Sequence, residues 1–529
     1  MVLIPPLIRA AGRWQFLDQP EARKVHTTPV PRVGGIAIAA GTLLGIVLWG
    51  NYSQPMPAIC AGLVVLLCFG VWDDRCNLSA RVKLIGQIIA VLIAIIWGDV
   101  TISTLSLAER YVVPHWLSIP LTFFFLLGVT NAINLADGLD GLAGGTTMLS
   151  LSALALLGLT TGNGLVATVS IVLIGAILGF LRFNTHPARV FMGDGGSQVL
   201  GFAVGVLAIL LTQDMRAPLS TALPLLLLGL PIIDTLMVMT QRMLEKRSPF
   251  SADRNHIHHR LLALGLDHHE AVTVIYVVQG CLFVAAWFMR YESDALIVSF
   301  FVGVAAVVIG TLTSARRTGW RVRANVQSPA PRALPLSSAI AWIIAPDRLP
   351  RFAYWAIAAG LLFYFVVVAL ASRAAEADIR VLAWVLMGLL AVDFLIRRTL
   401  AEASWIQKGV LYICAVMAVY LDEQFSTVLE RSHNLEIGLF IILAVAVAAR
   451  FRLSNDRRFQ VTPLDVLVII IAVVVPNLPG SIATPHALGG GVAKLVILFY
   501  AIESLLSGVG RRWPVLGAAA LAFLVGAAV

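Results

Sequence analysis

The sequence predicts an all-α polytopic integral membrane protein, on three observations. Hydrophobic residues make up 59% of the 529 and mean hydropathy is +0.88. Only 13% of residues are charged, and apolar runs of bilayer-crossing length recur along the chain, separated by short polar loops. The net charge of +9, from 38 basic and 29 acidic residues, does not indicate nucleic acid, because Lys and Arg are spread over the loops rather than gathered on one surface. Cys60, Cys68, Cys76, Cys281 and Cys414 show no CxxC spacing, so neither a disulfide framework nor a thiolate metal site is indicated and they read as packing residues. Met1 to Ala11 lacks the apolar run and small-residue cleavage site of a signal peptide.

The elements follow in order. Ten runs lie near 33–50, 57–72, 83–97, 114–131, 142–160, 164–181, 197–212, 218–240, 270–289 and 294–312, which predicts about ten transmembrane helices in a core spanning 1–312. A polar stretch rich in Pro and Arg, 313–351, reads as a linker. About seven more apolar runs follow and predict a C-terminal membrane module over 352–529, in which Asp393 and Glu503 lie within apolar runs and read as helix–helix hydrogen-bonding groups. The loops of the core alternate in charge. One set, including the N-terminal segment, DDRCNLSARVK and QRMLEKRSPFSADRNHIHHRLLALGLDHHE, carries fifteen Lys and Arg; the other carries three. The positive-inside rule assigns the first set to the cytoplasm. Every loop rich in Asp, Asn, His and Gly falls in that set, so a single active site at the cytoplasmic membrane surface is expected.

Four constellations carry chemistry. Asp73 and Asp74 close a span; neighbours on a helix point about 100° apart, so the two carboxylates serve different partners, unless they form only a solvated helix end. In NAINLADGLDGLAGG, Asn131, Asn134, Asp137 and Asp140 recur every third residue, a spacing that keeps them on one helical stripe. Hard oxygen ligands so arranged suit Mg²⁺ with a diphosphate; small-residue helix packing would explain the glycines alone. In RFNTHPARVFMGDGGS, Asp194 stands at the start of a span, where it could hold a cation beside free helix N–H groups or act as a cap. His256-Ile257-His258-His259-Arg260 reads as a phosphate-binding cluster more readily than a zinc site, since no Cys or Glu at ligand spacing accompanies it. His268 and His269 read as an ordinary loop pair.

These segments, with RKVHTTPVPRVGG from Arg23 to Gly35, resemble the polyprenyl-phosphate N-acetylhexosamine-1-phosphate transferases, in family order and over roughly residues 17 to 312. The HIHHR form preceded by SADRN is similar to the branch that primes enterobacterial-antigen, O-antigen and teichoic-acid synthesis from UDP-GlcNAc. The resemblance implies transfer of GlcNAc-1-phosphate from UDP-GlcNAc to undecaprenyl phosphate at the bacterial inner membrane, with release of UMP and with Mg²⁺, or Mn²⁺ in its place. It implies Asp73, Asp74, Asp137 and Asp140 as catalytic carboxylates, with Asp73 at the acceptor phosphate, Asp74 supporting it, and Asp137 and Asp140 on the nucleotide side. Asp194 and Asn134 become metal or diphosphate contacts; Asn184, His256, His258, His259 and Arg260 join Asn134 in binding substrate. Another UDP-HexNAc donor is the alternative, and a secondary transporter the more distant one.

Two departures from the family pattern stand out. A whole span usually precedes the Asp-x-Pro-x-x-Arg-Lys-x-His segment, whereas only Met1 to Leu17 precedes Asp18; the expectation is a start further upstream or a lost first helix. The C-terminal module is the second. It shows no catalytic constellation, and glycosyltransferase or polysaccharide-export partners are the expected associates.

Overall fold

The computed structural model describes residues 3–322, except 20–28, 51, 107–109, 217–218 and 248–254. Beyond residue 348 it describes five helices and scattered residues between 463 and 505. Arg23 to Thr28 of the first motif, most of SADRN, much of the expected linker and Glu503 lie outside the described residues. The chain divides into two compact units, residues 3–327 with 462–482, and residues 328–461 with 483–529. Residues 462–482 group with the first unit, where Leu467 is buried and Ile470 packs against Gly280.

The first unit is helical apart from two short antiparallel ribbons, β1 (Leu17–Asp18) with β2 (Val30–Pro31) and β3 (Thr104–Ser106) with β4 (Arg110–Val112). Its helices are α1 (Ile4–Trp14), α2 (Gly34–Trp49), α3 (Met56–Cys76), α4 (Ala80–Leu92, continued by a π turn to Trp97), α5 (His115–Ala136), α6 (Leu142–Thr161), α7 (Gly164–Asn184), α8 (Gly193–Thr212), α9 (Pro224–Leu227), α10 (Gly229–Leu244), α11 (Ile257–Ala263), α12 (His268–Phe288) and α13 (Asp294–Thr318). Helix α1 lays the stripe Ile4, Leu7, Ile8 and Ala11 onto the core, the spacing of one helical face. Among the described residues nine helices are long and apolar enough to cross a membrane, eight here and Phe352–Leu370 in the second unit.

Helices α6 and α8 form the centre. Each is buried over 94% of its apolar window, against 17% for α13, because α8 packs on α2, α3, α5 and α6 while α6 packs on α7 and α12. Outward faces stay apolar, as at Leu44, Ile96, Phe124 and Val307, which suits contact with lipid. Close approach at the centre depends on glycine: a Cβ on Gly70 of α3 would lie 2.1 Å from the Gly195 Cα of α8, so these helices touch backbone to backbone.

The run expected at 218–240 is not one helix. It breaks at Leu228, between α9 and α10. Pro231 has no N–H to give to the carbonyl four residues back, that of Leu227. Ser150 Oγ at 2.6 Å and Gln279 Nε2 at 2.9 Å donate to that carbonyl instead, and Gln279 Oε1 accepts the Leu230 N–H at 3.2 Å. In an apolar bundle such freed backbone groups must find side-chain partners. Of the cysteines, Cys414 and Cys60 pack as expected, the first buried and the second against the core, whereas Cys68, Cys76 and Cys281 are exposed and depart from the packing reading.

The second unit contains helices Leu349–Ala371, Ala377–Arg397, Trp405–Gln424, His433–Leu453 and Trp513–Ala528 around its own apolar core. Asp393 is buried within it. Lys494 Nζ lies 2.7 Å from Asp422 Oδ2 and also pairs with Glu436, while the Tyr364 hydroxyl donates to Asp422 at 3.2 Å.

Candidate active site

Consecutive membrane helices alternate in direction, so the C-termini of α3, α5 and α7 share one end of the bundle with the N-termini of α4, α6 and α8. The motif residues meet there. Asp73, in the last turn of α3, accepts the Leu78 N–H at 2.7 Å through one oxygen and pairs with Lys83 Nζ at 2.6 Å through the other. Lys83, in the first turn of α4, also lies 2.6 Å from Asp194 Oδ2. Asn134 Nδ2 donates to Asp194 Oδ1 at 3.2 Å and to Ser197 Oγ at 2.8 Å. One ammonium group and one carboxamide thus lock together the ends of α3, α4, α5 and α8. Sequence reasoning missed Lys83; its signal was a lysine one turn into the helix that follows two carboxylates.

Asp74 turns the other way, as its 100° offset requires. Its carboxylate accepts the N–H groups of Asp194 at 3.0 Å and Gly195 at 3.3 Å, so it caps α8 and those donors are not left for an anion as the sequence suggested. Gly193, at φ +72°, makes the turn possible: a Cβ there would meet Asp74 Oδ2 at 2.3 Å.

The expected stripe through Asn131, Asn134, Asp137 and Asp140 is cut short. Helix α5 stops at Ala136, Gly138 and Gly141 follow, and Gly141 takes the left-handed conformation at φ +80°. Asn131 faces away, exchanging hydrogen bonds with Gln87 at 2.8 and 3.3 Å. Asp137 borders the cleft; burial among protein atoms and the neighbouring Asp194 and Asp140 carboxylates push its carboxyl up to about 7, although its side chain keeps an opening to the cleft. Burial would raise Asp140 too, but His186 Nδ1 at 2.7 Å and the Ala188 N–H at 3.1 Å outweigh it and hold that carboxyl below its ordinary value. Asn184 is a clamp between loops, accepting the Gly141 N–H and donating to the Val190 carbonyl, each at 2.9 Å.

The His256 to Arg260 cluster opens α11 and divides its tasks. Asp234 fixes it by accepting from His256 Nδ1 at 2.8 Å and from the Ile257 N–H at 2.6 Å. Arg260 reaches Gln241 Oε1 at 2.6 Å. His258 is buried against Gly138, where a Cβ would come within 2.3 Å of its ring. Burial, with His259 next to it, lowers its pKa to about 3, so its imidazole is neutral. His259 lines the cleft; His256, His258 and Arg260 stand behind its wall.

The cleft has a volume of about 590 Å³. Asp18, Asp73, Asp74, Asp137, Asp140 and Asp194 border it, facing the cations Arg32 and Lys83, with Arg32 paired to Asp18. Among the described residues acid exceeds base, so an anionic substrate would be repelled there unless a cation came with it. The carboxylate oxygens of Asp194 and Asp73, each with a second lone pair beside its present partner, and the carboxamide oxygen of Asn134 are the hard donors that Mg²⁺ takes, and this donor set fits such an ion. Sequence reasoning did not single out His186, Asp18 or Arg32, and it read His268 as ordinary; His186 and His268 both reach this cleft, with rings stacked at 4.1 Å.

A polytopic helical bundle with carboxylates, one bridging lysine and imidazoles gathered in a cleft at one end defines a membrane-embedded phosphotransferase. The comparisons name the family. The profile of Glycosyl transferase family 4 matches residues 56–212. The chain is 40% identical over 282 residues, 53% of this chain and 78% of the relative, to the probable undecaprenyl-phosphate N-acetylglucosaminyl 1-phosphate transferase of Bacillus subtilis. It is 34% identical over 301 residues, 51% of this chain and 76% of the relative, to the decaprenyl-phosphate N-acetylglucosaminephosphotransferase of Mycobacterium leprae. With the undecaprenyl-phosphate alpha-N-acetylglucosaminyl 1-phosphate transferase of Escherichia coli O157:H7 it shares 30% identity over 279 residues, 50% of this chain and 74% of the relative. The chain belongs to glycosyl transferase family 4, and it is a multi-pass membrane enzyme.

Proposed function

We propose that this enzyme transfers GlcNAc-1-phosphate from UDP-GlcNAc to undecaprenyl phosphate, from the cytoplasmic face of the bacterial inner membrane, and so initiates a lipid-linked cell-surface polysaccharide. The observation that carries the reading is the Lys83 bridge between Asp73 and Asp194, set in an acidic cleft at the end of the bundle where the basic loops lie. An oxygen of the lipid phosphate attacks the sugar-bearing phosphorus of the donor. The bond from that phosphorus to the bridging oxygen breaks, and UMP leaves with that oxygen.

The acceptor phosphate, with a second pKa of about 6, is already largely ionised at neutral pH, so alignment and charge neutralisation supply most of the rate. Lys83 is the resident cation for the developing negative charge. Asp73, fixed by Lys83 and the Leu78 N–H, orients the acceptor, and Asp74 keeps the start of α8 rigid. Asp194, Asn134 and Asp73 would hold Mg²⁺, which when bound supplies the charge neutralisation that a diphosphate donor and a phosphate acceptor need in so acidic a cleft. Asp137 and Asp140 serve the nucleotide, with His259 at the wall. The carboxylates gather at one end of the helices rather than at mid-bundle, which argues against the transporter alternative; another UDP-HexNAc remains the second reading for the donor.

The test is incubation of membranes holding the full chain with labelled UDP-GlcNAc, Mg²⁺ and undecaprenyl phosphate, followed by product analysis. The expected product is undecaprenyl diphosphate GlcNAc with UMP. Because the HIHHR loop is similar to the UDP-GlcNAc branch, the expected result with a UDP-MurNAc-pentapeptide donor is refusal. Absence of lipid-linked product with UDP-GlcNAc, or efficient use of the pentapeptide donor, would overturn the reading.

A further inference from the structure

Next to the Asp194 cluster lies a group of side chains of different chemistry. Asp140 sits in the turn after α5, His186 in the loop before α8, and His268 at the first position of α12. Each brings one ligand atom within 4.8 Å of the other two. The arrangement is built rather than fortuitous. His186 Nδ1 lies 2.7 Å from Asp140 Oδ2, the same oxygen accepts the Ala188 N–H at 3.1 Å, and His268 Nε2 faces the Asp140 carbonyl at 3.3 Å. The two imidazole rings are stacked at 4.1 Å, an arrangement that disfavours charge on both. His268 Nδ1 is buried and has no hydrogen-bond partner.

We propose that Asp140, His186 and His268 bind a borderline divalent transition cation such as Zn²⁺, at a position separate from the hard-oxygen cluster around Asp194, and that its occupancy blocks transfer. Two imidazoles and one carboxylate, with the fourth position left to water, form a ligand set that zinc accepts and that Mg²⁺, which demands octahedral oxygen, does not. Tetrahedral ligands at about 2.1 Å from zinc lie roughly 3.4 Å from one another; the three ligand atoms lie within 4.8 Å of one another and the closest contact, His186 to Asp140, is 2.7 Å, so separations need to change by no more than about 1.4 Å. His186, 34% exposed at its side chain, has room to do so. The ion would sit in the same cleft and would fix Asp140, hence the inhibition. The inhibitory half rests on the transferase reading, and the binding half does not.

The experiment uses the purified full chain in detergent with excess Mg²⁺. Co²⁺ is titrated as the probe, its visible absorption reporting a four- or five-coordinate site, and Zn²⁺ is then added to displace it. The expected result is one such site per chain, with affinity at least about tenfold weaker in His186→Ala and in His268→Ala, and unchanged in His115→Ala at the other end of the bundle. Should His268→Ala fail to accumulate, His268→Gln takes its place. Zn²⁺ should also inhibit transfer, with an apparent inhibition constant at least about tenfold higher in His186→Ala, measured against that variant's own zinc-free rate. Octahedral Co²⁺ absorption alone, or equal affinity in all variants, would overturn the site. Co²⁺ binding through these residues in a chain that transfers nothing even without zinc counts for the site and against the transferase reading.

Discussion

Lys83 Nζ lies 2.6 Å from Asp194 Oδ2 while holding Asp73 at the same distance on its other side. A single cation thus ties the first turn of α4 to the last turn of α3 and the first turn of α8. Removing it leaves two carboxylates facing each other in a cleft already rich in acid.

Lys83→Gln, Asp73→Asn and Asp194→Asn should therefore each lower transfer by at least about 100-fold, the loss expected for one main electrostatic contact worth roughly 2.7 kcal/mol or more. Because the three act as one unit, Lys83→Gln combined with Asp73→Asn should cost far less than the product of the single effects. Steady-state assays on purified enzyme decide this. Near-normal turnover in all three single variants would remove the cluster from the active site.

Gly70→Ala tests the backbone contact between α3 and α8. The added Cβ would lie 2.1 Å from Gly195 Cα, and backbone cannot yield as a side-chain tip can. Overpacking of this kind costs about 1–3 kcal/mol, and it would also displace Asp73 and Asp74, one turn further along α3. The expected result is a lowered melting temperature in detergent together with reduced transfer, and an unchanged melting curve would contradict the packing.

His258 makes stability depend on pH. Its pKa is near 3 in the folded chain against an ordinary 6.5, so between those values the unfolded chain binds more protons and stability falls as pH drops. The contribution is complete above about 6.5 and is lost as pH falls toward 3. Melting temperature should decline from pH 7 to pH 5 more steeply in the natural enzyme than in His258→Gln. Equal slopes would show that the imidazole is not held neutral.

Truncation addresses the second unit. The recognised motifs end by Arg260, so a chain ending at Arg332 should still make lipid-linked product in membranes. It should do so with lower stability, because burial of an aliphatic side chain such as Leu467 contributes about 1.5–3 kcal/mol. Correctly inserted truncated protein that lacks all transfer, beside an active full-length control, would implicate the later residues in catalysis.

Composition and periodicity by themselves determined that this is a bundle of membrane helices, since an apolar run of such length has few other ways to satisfy its backbone. Loop charge and motif order placed the chemistry at one end, and Asp73, Asp74, Asn134, Asp137, Asp140, Asp194 and His259 do line one cleft. Only the tertiary structure decided what each residue does there. Asp74 caps α8, Asn184 clamps two loops and His258 stays neutral, because burial and distant partners set those roles and neither is encoded in local spacing. Lys83, 111 positions before Asp194, and the pairing of His186 with Asp140 arise where helix ends converge. The break at Leu228 was equally hidden: Pro231 marks the bond that is lost, but Ser150 and Gln279, which make that loss tolerable, reach Leu227 through folding alone.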